Sequence, residues 1–163
     1  MKFIGFHGTS IEKLYSIKID GINSSKNGWF GTGSYFFLED KELCLKWAKR
    51  KYPNKKCIAI KVEIDIDDEY ILDTRLEEHR KFFHLFRDTI AQSIINGSMK
   101  YENTSQHFDN FIFDLINKNL GIKLVIANSF TFDYPKEFNS RIPNGTELCL
   151  FEKCYTIKEA YNE

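Results

Sequence analysis

Long apolar runs are missing from this chain. No window approaches the roughly 18 to 20 apolar residues that a bilayer-spanning helix needs, so a membrane partner is not expected. The first residues, Met1-Lys2-Phe3-Ile4-Gly5-Phe6-His7, lack the apolar stretch and small-residue cleavage site of a secretory signal, so a cytoplasmic location is expected. Net charge is missing too. Lys+Arg and Asp+Glu each number 23, which argues against a chain that binds nucleic acid over its whole surface. The four cysteines (Cys44, Cys57, Cys149, Cys154) form no CxxC pair and read as buried reduced thiols. Neither they nor the four histidines fall into a zinc-ligand spacing, and no metal is expected. Only three prolines occur, with no Pro/Ser-rich linker, repeat or low-complexity tract. Residues 1–163 therefore read as a single domain.

What is present suits a packed core: 42% of the residues are hydrophobic and 15% aromatic. Residues 2–8 read as a strand. Thr9-Ser10-Ile11-Glu12 has the form of a capping box and predicts a helix burying Ile11, Leu14, Tyr15 and Ile17, stopped by Gly21. A loop follows to residue 34, then a strand from Tyr35 to Leu38. A second helix is capped by Asp40, with Leu43, Trp47 and Ala48 on one side. Ile58, Ile60, Val62, Ile64 and Ile66 alternate with polar or small residues, which predicts an antiparallel or edge strand over 57–66 with one wet face. Helices are predicted over 77–96, with Phe82, Phe86, Ile90 and Ile94 in one row, and over 105–120, closed by Gly97 and Gly121. Strands are expected from Leu124 to Phe132, Glu147 to Phe151 and, shorter, Cys154 to Ile157. This order does not repeat as βαβ, so the fold class is α+β. Residues 41–61 carry eight Lys/Arg and residues 63–78 eight Asp/Glu. That pattern fits either solvated faces or a basic rim beside an anion pocket.

Three stretches put reactive or recognition groups where the chain turns. Phe6-His7-Gly8-Thr9-Ser10 closes the first strand, where glycine lets a ligand approach the backbone. Trp29-Phe30-Gly31-Thr32-Gly33-Ser34-Tyr35-Phe36-Phe37 leads two glycines into a row of aromatic rings. Asn144-Gly145-Thr146-Glu147-Leu148-Cys149-Leu150 sets one acid at the head of an apolar strand. Singly, each has a plainer reading: a core histidine, a core aromatic strand, an exposed edge charge. Gly31-x-Gly33 lacks the third glycine and the strand–helix setting of a dinucleotide fingerprint.

Together and in this order, the stretches resemble the ADP-ribosyltransferase catalytic domain, in its diphtheria-toxin and poly(ADP-ribose) polymerase branch with a His–Tyr–Glu triad. His7-Gly8-Thr9 matches H-G-(S/T). Phe30-Gly31-Thr32-Gly33-Ser34-Tyr35-Phe36 matches F-G-x-G-x-Y-F. Leu45-Lys46-Trp47-Ala48 resembles the A-x-Y-A/C segment with Trp for Tyr, and Thr146 to Leu150 resembles the closing strand. The stretch from about 67 to 140 carries no matching motif. Gly145 stands where the arginine-directed branch has the first Glu of its E-x-E pair.

The resemblance implies an ADP-ribosyltransferase-like fold with a mainly antiparallel split sheet, and NAD as co-substrate. Cleaving the nicotinamide–ribose bond develops positive charge on the ribose, which Glu147 would stabilise. By the same resemblance, Tyr35 stacks on nicotinamide, opposite Trp47. Gly8 binds the carboxamide through its backbone, and His7 holds the adenosine ribose. Thr9 and Phe36 complete the NAD contacts, and Cys44 occupies a position where the family often has Ser. Apart from the resemblance, Arg50 shares a face of the basic helix with Lys46 and is the candidate for the NAD pyrophosphate, because a guanidinium binds phosphate through two hydrogen bonds; a solvated basic face is the other reading. A stacking role needs the ring of Tyr35 and not its hydroxyl, so Tyr35→Phe is expected to be mild. The implied activity is transfer of ADP-ribose to a protein or nucleic-acid acceptor with release of nicotinamide. Such compact chains resemble bacterial toxins or anti-phage effectors, with an antitoxin or regulatory protein as partner. Two other readings are an NAD glycohydrolase or RNA 2′-phosphotransferase-like enzyme on this fold, and a non-catalytic module that binds ADP-ribose or a partner.

Overall fold

The alternating apolar residues near position 60 become the spine of the fold. The structure, a computed structural model, describes residues 1–102, 107–131, 138 and 140–162. Strand β3 (Cys57–Asp65) turns Ile58, Ile60, Val62 and Ile64 into one face, none more than 1% exposed. Burying each such side chain is worth about 1.5 to 3 kcal/mol. Antiparallel neighbours β1 (Lys2–Ser10) and β7 (Tyr155–Asn162) flank it, so β3 is an interior strand. Its other face is only partly wet. Cys57 and Ala59 are buried there as well, and helix α2 (Lys41–Lys51) packs on this strand and on β1.

Among the described residues, seven strands form one mixed sheet and four α-helices flank it, an α+β architecture. The sheet order is β4-β5-β6-β2-β1-β3-β7, with β2 at Ser34–Leu38, β4 at Ile71–Asp73, β5 at Leu124–Ser129 and β6 at Gly145–Leu150. Only β4–β5 is parallel. A parallel pair needs a crossover, here carried by α3 (Glu77–Ile95) and α4 (Phe108–Leu120).

Directly opposed residues share a face, and the register therefore sorts the side chains. Ile60, His7, Phe36 and Leu148 lie on one face. Ala59, Gly8, Tyr35, Phe37, Glu147 and Cys149 lie on the other. Helix α1 (Leu14–Asp20) packs its Ile17 on the first face. Helix α2 and the α3/α4 pair cover opposite ends of the second. Strands β1 and β2 are joined through only two registered positions, Gly5↔Leu38 and Phe6↔Phe37, and then part.

Several local expectations change. Strand β1 runs on through Thr9 and Ser10, so the capping box does not form. Ser10 makes no side-chain cap, a 3-10 turn occupies Ile11–Lys13, and Glu12 pairs with Lys55 instead. Tyr15 is 77% exposed and Ile11 is also exposed, because α1 is short and only Ile17, buried, and Leu14, half-buried, pack on the core. In α3 the buried ring is Phe83, stacked on Phe113 at 4.4 Å, while Phe82 is exposed. Strand β5 ends at Ser129, and position 132 of its expected extension lies outside the described residues, as do positions 105 and 106 of the expected fourth helix. Asp40 does cap α2, accepting from the Leu43 amide at 2.8 Å, a contact worth about 1 kcal/mol. Gly21 and Gly121 end their helices with positive φ. The four cysteines are free thiols.

Candidate functional site

The parting of β1 and β2 is the structural origin of the site. Glu39 N–H donates to the Ile4 carbonyl, so the even residues of β1 turn their backbone groups toward β2. Ile11 N–H donates to Lys56 on the other side, consistent with odd residues facing β3. A continued ladder would join Gly8 to Tyr35. Instead His7 Nδ1 bonds the Tyr35 carbonyl at 2.9 Å, taking the acceptor that the Gly8 amide would have used. The imidazole thus wedges the strands apart and leaves the Gly8 N–H and C=O turned into the gap. Gly8 also has to be glycine for packing: a Cβ there would lie 2.6 Å from the Cys44 carbonyl oxygen of α2.

A cavity of about 1090 Å³ opens at this gap. Its lining comes from both faces of the sheet: Lys13 and Ser16 with His7 on one, Tyr35, Trp47 and Glu147 on the other. It therefore crosses the sheet where the strands part. That volume suits a dinucleotide-sized ligand.

Each end has its own chemistry. Because a carbonyl only accepts, His7 carries its proton on Nδ1 and keeps Nε2 as an acceptor. Burial lowers its pKa to about 4, with the Lys51 and Lys13 charges adding to the effect, so the ring is neutral at pH 7. At the other end, burial raises the pKa of the Glu147 carboxyl, while the Ser129 and Thr131 hydroxyls oppose the shift by donating to it. The Ser129 Oγ–Glu147 Oε1 distance is 2.5 Å, and the Ser129 and Thr131 hydroxyl oxygens lie 2.9 Å apart.

Tyr35 turns its ring to the cavity, and its hydroxyl has structural work. It donates to the Gly31 carbonyl at 2.7 Å and accepts from the Phe30 amide at 2.9 Å. Gly31 sits at φ +107°, and a Cβ there would run into the Phe151 ring, so the bend is a glycine bend. Helix α4 grips the same loop. Asn110 Nδ2 donates to the Gly28 carbonyl at 2.7 Å, and the Asp114 carboxylate accepts from the Thr32 amide and hydroxyl.

Of the residues singled out in the sequence, His7, Gly8, Thr9, Tyr35, Phe36, Trp47, Arg50 and Glu147 all border this one cavity. Trp47 packs edge-on to Phe37 with Lys51 Nζ 4.5 Å above its ring. Two of them serve differently from the expectation. Phe36 is 1% exposed and lies in the core, its ring edge toward His7, so it supports the site from beneath. Thr9 is buried and its hydroxyl is bonded to Tyr52. Cys44 is fully buried behind Gly8, outside the cavity lining, and burial raises its thiol pKa. Ser129, Asn110, Asp114, Lys13 and Lys51 escaped the sequence reading. A polar residue on the apolar stripe of α4 was the available sign for Asn110.

Five of the eight acids in the run after residue 62 form ion pairs: Glu63 with Lys158, Asp65 with Lys2, Asp68 with the N-terminal amine, Asp73 with Arg75 and Glu77 with Lys81. The basic run instead brings Arg50 and Lys51 to the cavity. Among the described residues no group of three His, Cys, Asp or Glu is placed to hold a metal ion, and no helix is long and apolar enough to cross a membrane. No protein-family model matches the chain, and no curated protein does.

Proposed function

We propose that this protein cleaves the nicotinamide–ribose bond of NAD and transfers the ADP-ribose to a macromolecular acceptor, on an ADP-ribosyltransferase-like fold whose sheet splits between β1 and β2. The observation that carries the reading is the wedge: His7 takes the Tyr35 carbonyl and turns the Gly8 amide and carbonyl into a cavity that Glu147 also borders. A carboxamide offers one acceptor and one donor pair, the complement of a bare peptide edge.

Nicotinamide on that edge lies between the rings of Tyr35 and Trp47. His7 Nε2 then accepts a hydroxyl of the adenosine ribose. As the C–N bond breaks, its electron pair passes to the pyridinium nitrogen, nicotinamide leaves neutral, and positive charge grows on the ribose. Glu147, held by Ser129 and Thr131, is the half-buried carboxylate that stabilises that charge through the nearby ribose hydroxyls. The acceptor nucleophile attacks the opposite face of the sugar, its lone pair forming the new bond to the ribose carbon, and its proton passes to solvent water. Phe130, 54% exposed and on the same rim as Glu147, gives the acceptor an apolar surface.

A phosphotransferase of the arginine-dependent kind is disfavoured. Among the described residues Arg50 alone of the arginines borders the cavity, whereas Arg75 is tied to Asp73 and Arg87 to Asp109. The test is incubation with labelled NAD. Nicotinamide release with label in a protein or nucleic-acid fraction of a cell lysate supports the transferase. Release without transfer points to a glycohydrolase, and binding without release to a silent module.

A further inference from the structure

The end of the cavity around His7 carries more positive charge than a neutral ribose calls for. Lys13, at the close of the 3-10 turn, and Lys51, at the end of α2, both line it. Lys13 Nζ donates to the Tyr52 hydroxyl at 3.1 Å, and Lys51 Nζ stands 5.7 Å from the centre of the same ring. Burial alone would raise the Tyr52 pKa. The Lys13 hydrogen bond and both lysine charges outweigh it and lower the phenol. Both charges also reach the His7 ring.

Five lysines elsewhere are matched by acids: Lys2 with Asp65, Lys55 with Glu12, Lys81 with Glu77, Lys123 with Glu152 and Lys158 with Glu63. Among the described residues no ion pair joins Lys13 or Lys51 to a carboxylate. Asp20, which borders the cavity from α1, pairs with neither. Two like charges near one imidazole repel each other even when solvent-exposed, and an anion between them removes that repulsion.

We propose that Lys13, Lys51 and the Tyr52 hydroxyl form a phosphomonoester subsite beside the ribose acceptor His7, so that the donor bound in preference is the 2′-phosphorylated dinucleotide, NADP. This rests on the dinucleotide reading above and adds its specificity. A ribose phosphate carries about −1.5 to −2 charge at pH 7 and three acceptor oxygens. Two ammonium groups and a phenol supply that charge and those donors. The adjacent sugar hydroxyl remains for His7 Nε2.

The test is calorimetric binding of NADP and NAD to the whole chain at low and physiological salt, repeated with Lys13→Met and Lys51→Met. These substitutions keep the apolar stem and delete the charge, and thermal unfolding checks each fold. The wild type is expected to bind NADP about tenfold or more tightly than NAD at low salt, a preference that shrinks as salt rises. In either folded variant the ratio should fall toward one. NAD bound as tightly as NADP by the wild type overturns the subsite and leaves the dinucleotide reading standing. A preference that survives both substitutions overturns the assignment to these lysines. Binding of neither dinucleotide overturns both readings.

Discussion

Replacing Tyr35 by Phe removes one oxygen and keeps the ring, so it separates stacking from scaffolding. If the ring alone mattered, the change would be mild. The structure gives the hydroxyl two partners, the Gly31 carbonyl at 2.7 Å and the Phe30 amide at 2.9 Å, on the loop that walls the cavity. Losing both bonds leaves one donor and one acceptor without their partner. Each costs about 1 kcal/mol where water can replace it and up to about 3 where it cannot. Phe30 and Tyr35 are half-buried beside an open cavity, which favours the lower figure, about 2 kcal/mol in all. For a domain of this size that lowers Tm by about 4 to 8 °C. The loosened loop should raise KM for NAD by up to about tenfold while kcat changes less, because 1.4 kcal/mol is one decade and the stacking ring remains. Tyr35→Ala removes the ring as well and should be worse on both counts. Thermal unfolding by circular dichroism and initial rates of nicotinamide release measure the two effects. A Phe variant with Tm within about 1 °C of wild type and an unchanged KM would show that the hydroxyl does not hold the loop.

Glu147→Gln should keep the fold and slow nicotinamide release by at least about 100-fold, the order seen when one charge stabiliser is removed. It should not lower Tm, since Gln can still accept from Ser129 and removes a partly desolvated charge; near-normal release by the folded variant refutes the mechanism. His7 predicts a pH signature. Its pKa is about 4 folded against an ordinary 6.5, so between these values the unfolded chain binds more protons. Its stabilising contribution is complete above about pH 6.5 and is lost as pH falls toward 4, up to about 3 kcal/mol in all. His7→Asn, which keeps a donor for the Tyr35 carbonyl, should lack that loss, and parallel stability–pH curves for the two proteins would contradict it. Arg50→Ala should weaken NAD binding at low salt, with a smaller loss at high salt. Unchanged affinity at low salt would mean that Arg50 touches no phosphate.

Local signals were legible where the physics is local. The two-residue period of β3, the Asp40 cap and the glycine stops at Gly21 and Gly121 each depend on neighbours within a turn or a strand, and each appears in the fold. The Thr9–Glu12 box failed because a local motif competed with a ladder. Thr9 and Ser10 pair with Ile58 and Cys57 across β3, and two more sheet positions outweighed a cap. The grip of α4 on the loop was illegible for a different reason. Asp114 meets Thr32 across 82 positions, and nothing in either neighbourhood announces the other. Lys13 and Lys51 were read as part of a helix start and a basic run, and only the parting of β1 and β2 brings them to one cavity.

The order of the His7-Gly8 pair follows from the same period of two. At position 7 the side chain falls on the face with Ile60 and can reach across the edge to the Tyr35 carbonyl. At position 8 it would fall on the α2 face, where even a Cβ would sit 2.6 Å from the Cys44 carbonyl oxygen and 3.1 Å from the Ala48 methyl. Position 8 is also the one whose backbone groups turn toward β2, so the residue that must lack a side chain is the one that presents its peptide edge. A Gly-His order would drive an imidazole into α2, lose the wedge, and let β1 and β2 zip closed over the cavity. The dipeptide therefore encodes both the opening in the sheet and the hydrogen-bonding edge inside it, which is why so short a motif can mark the site.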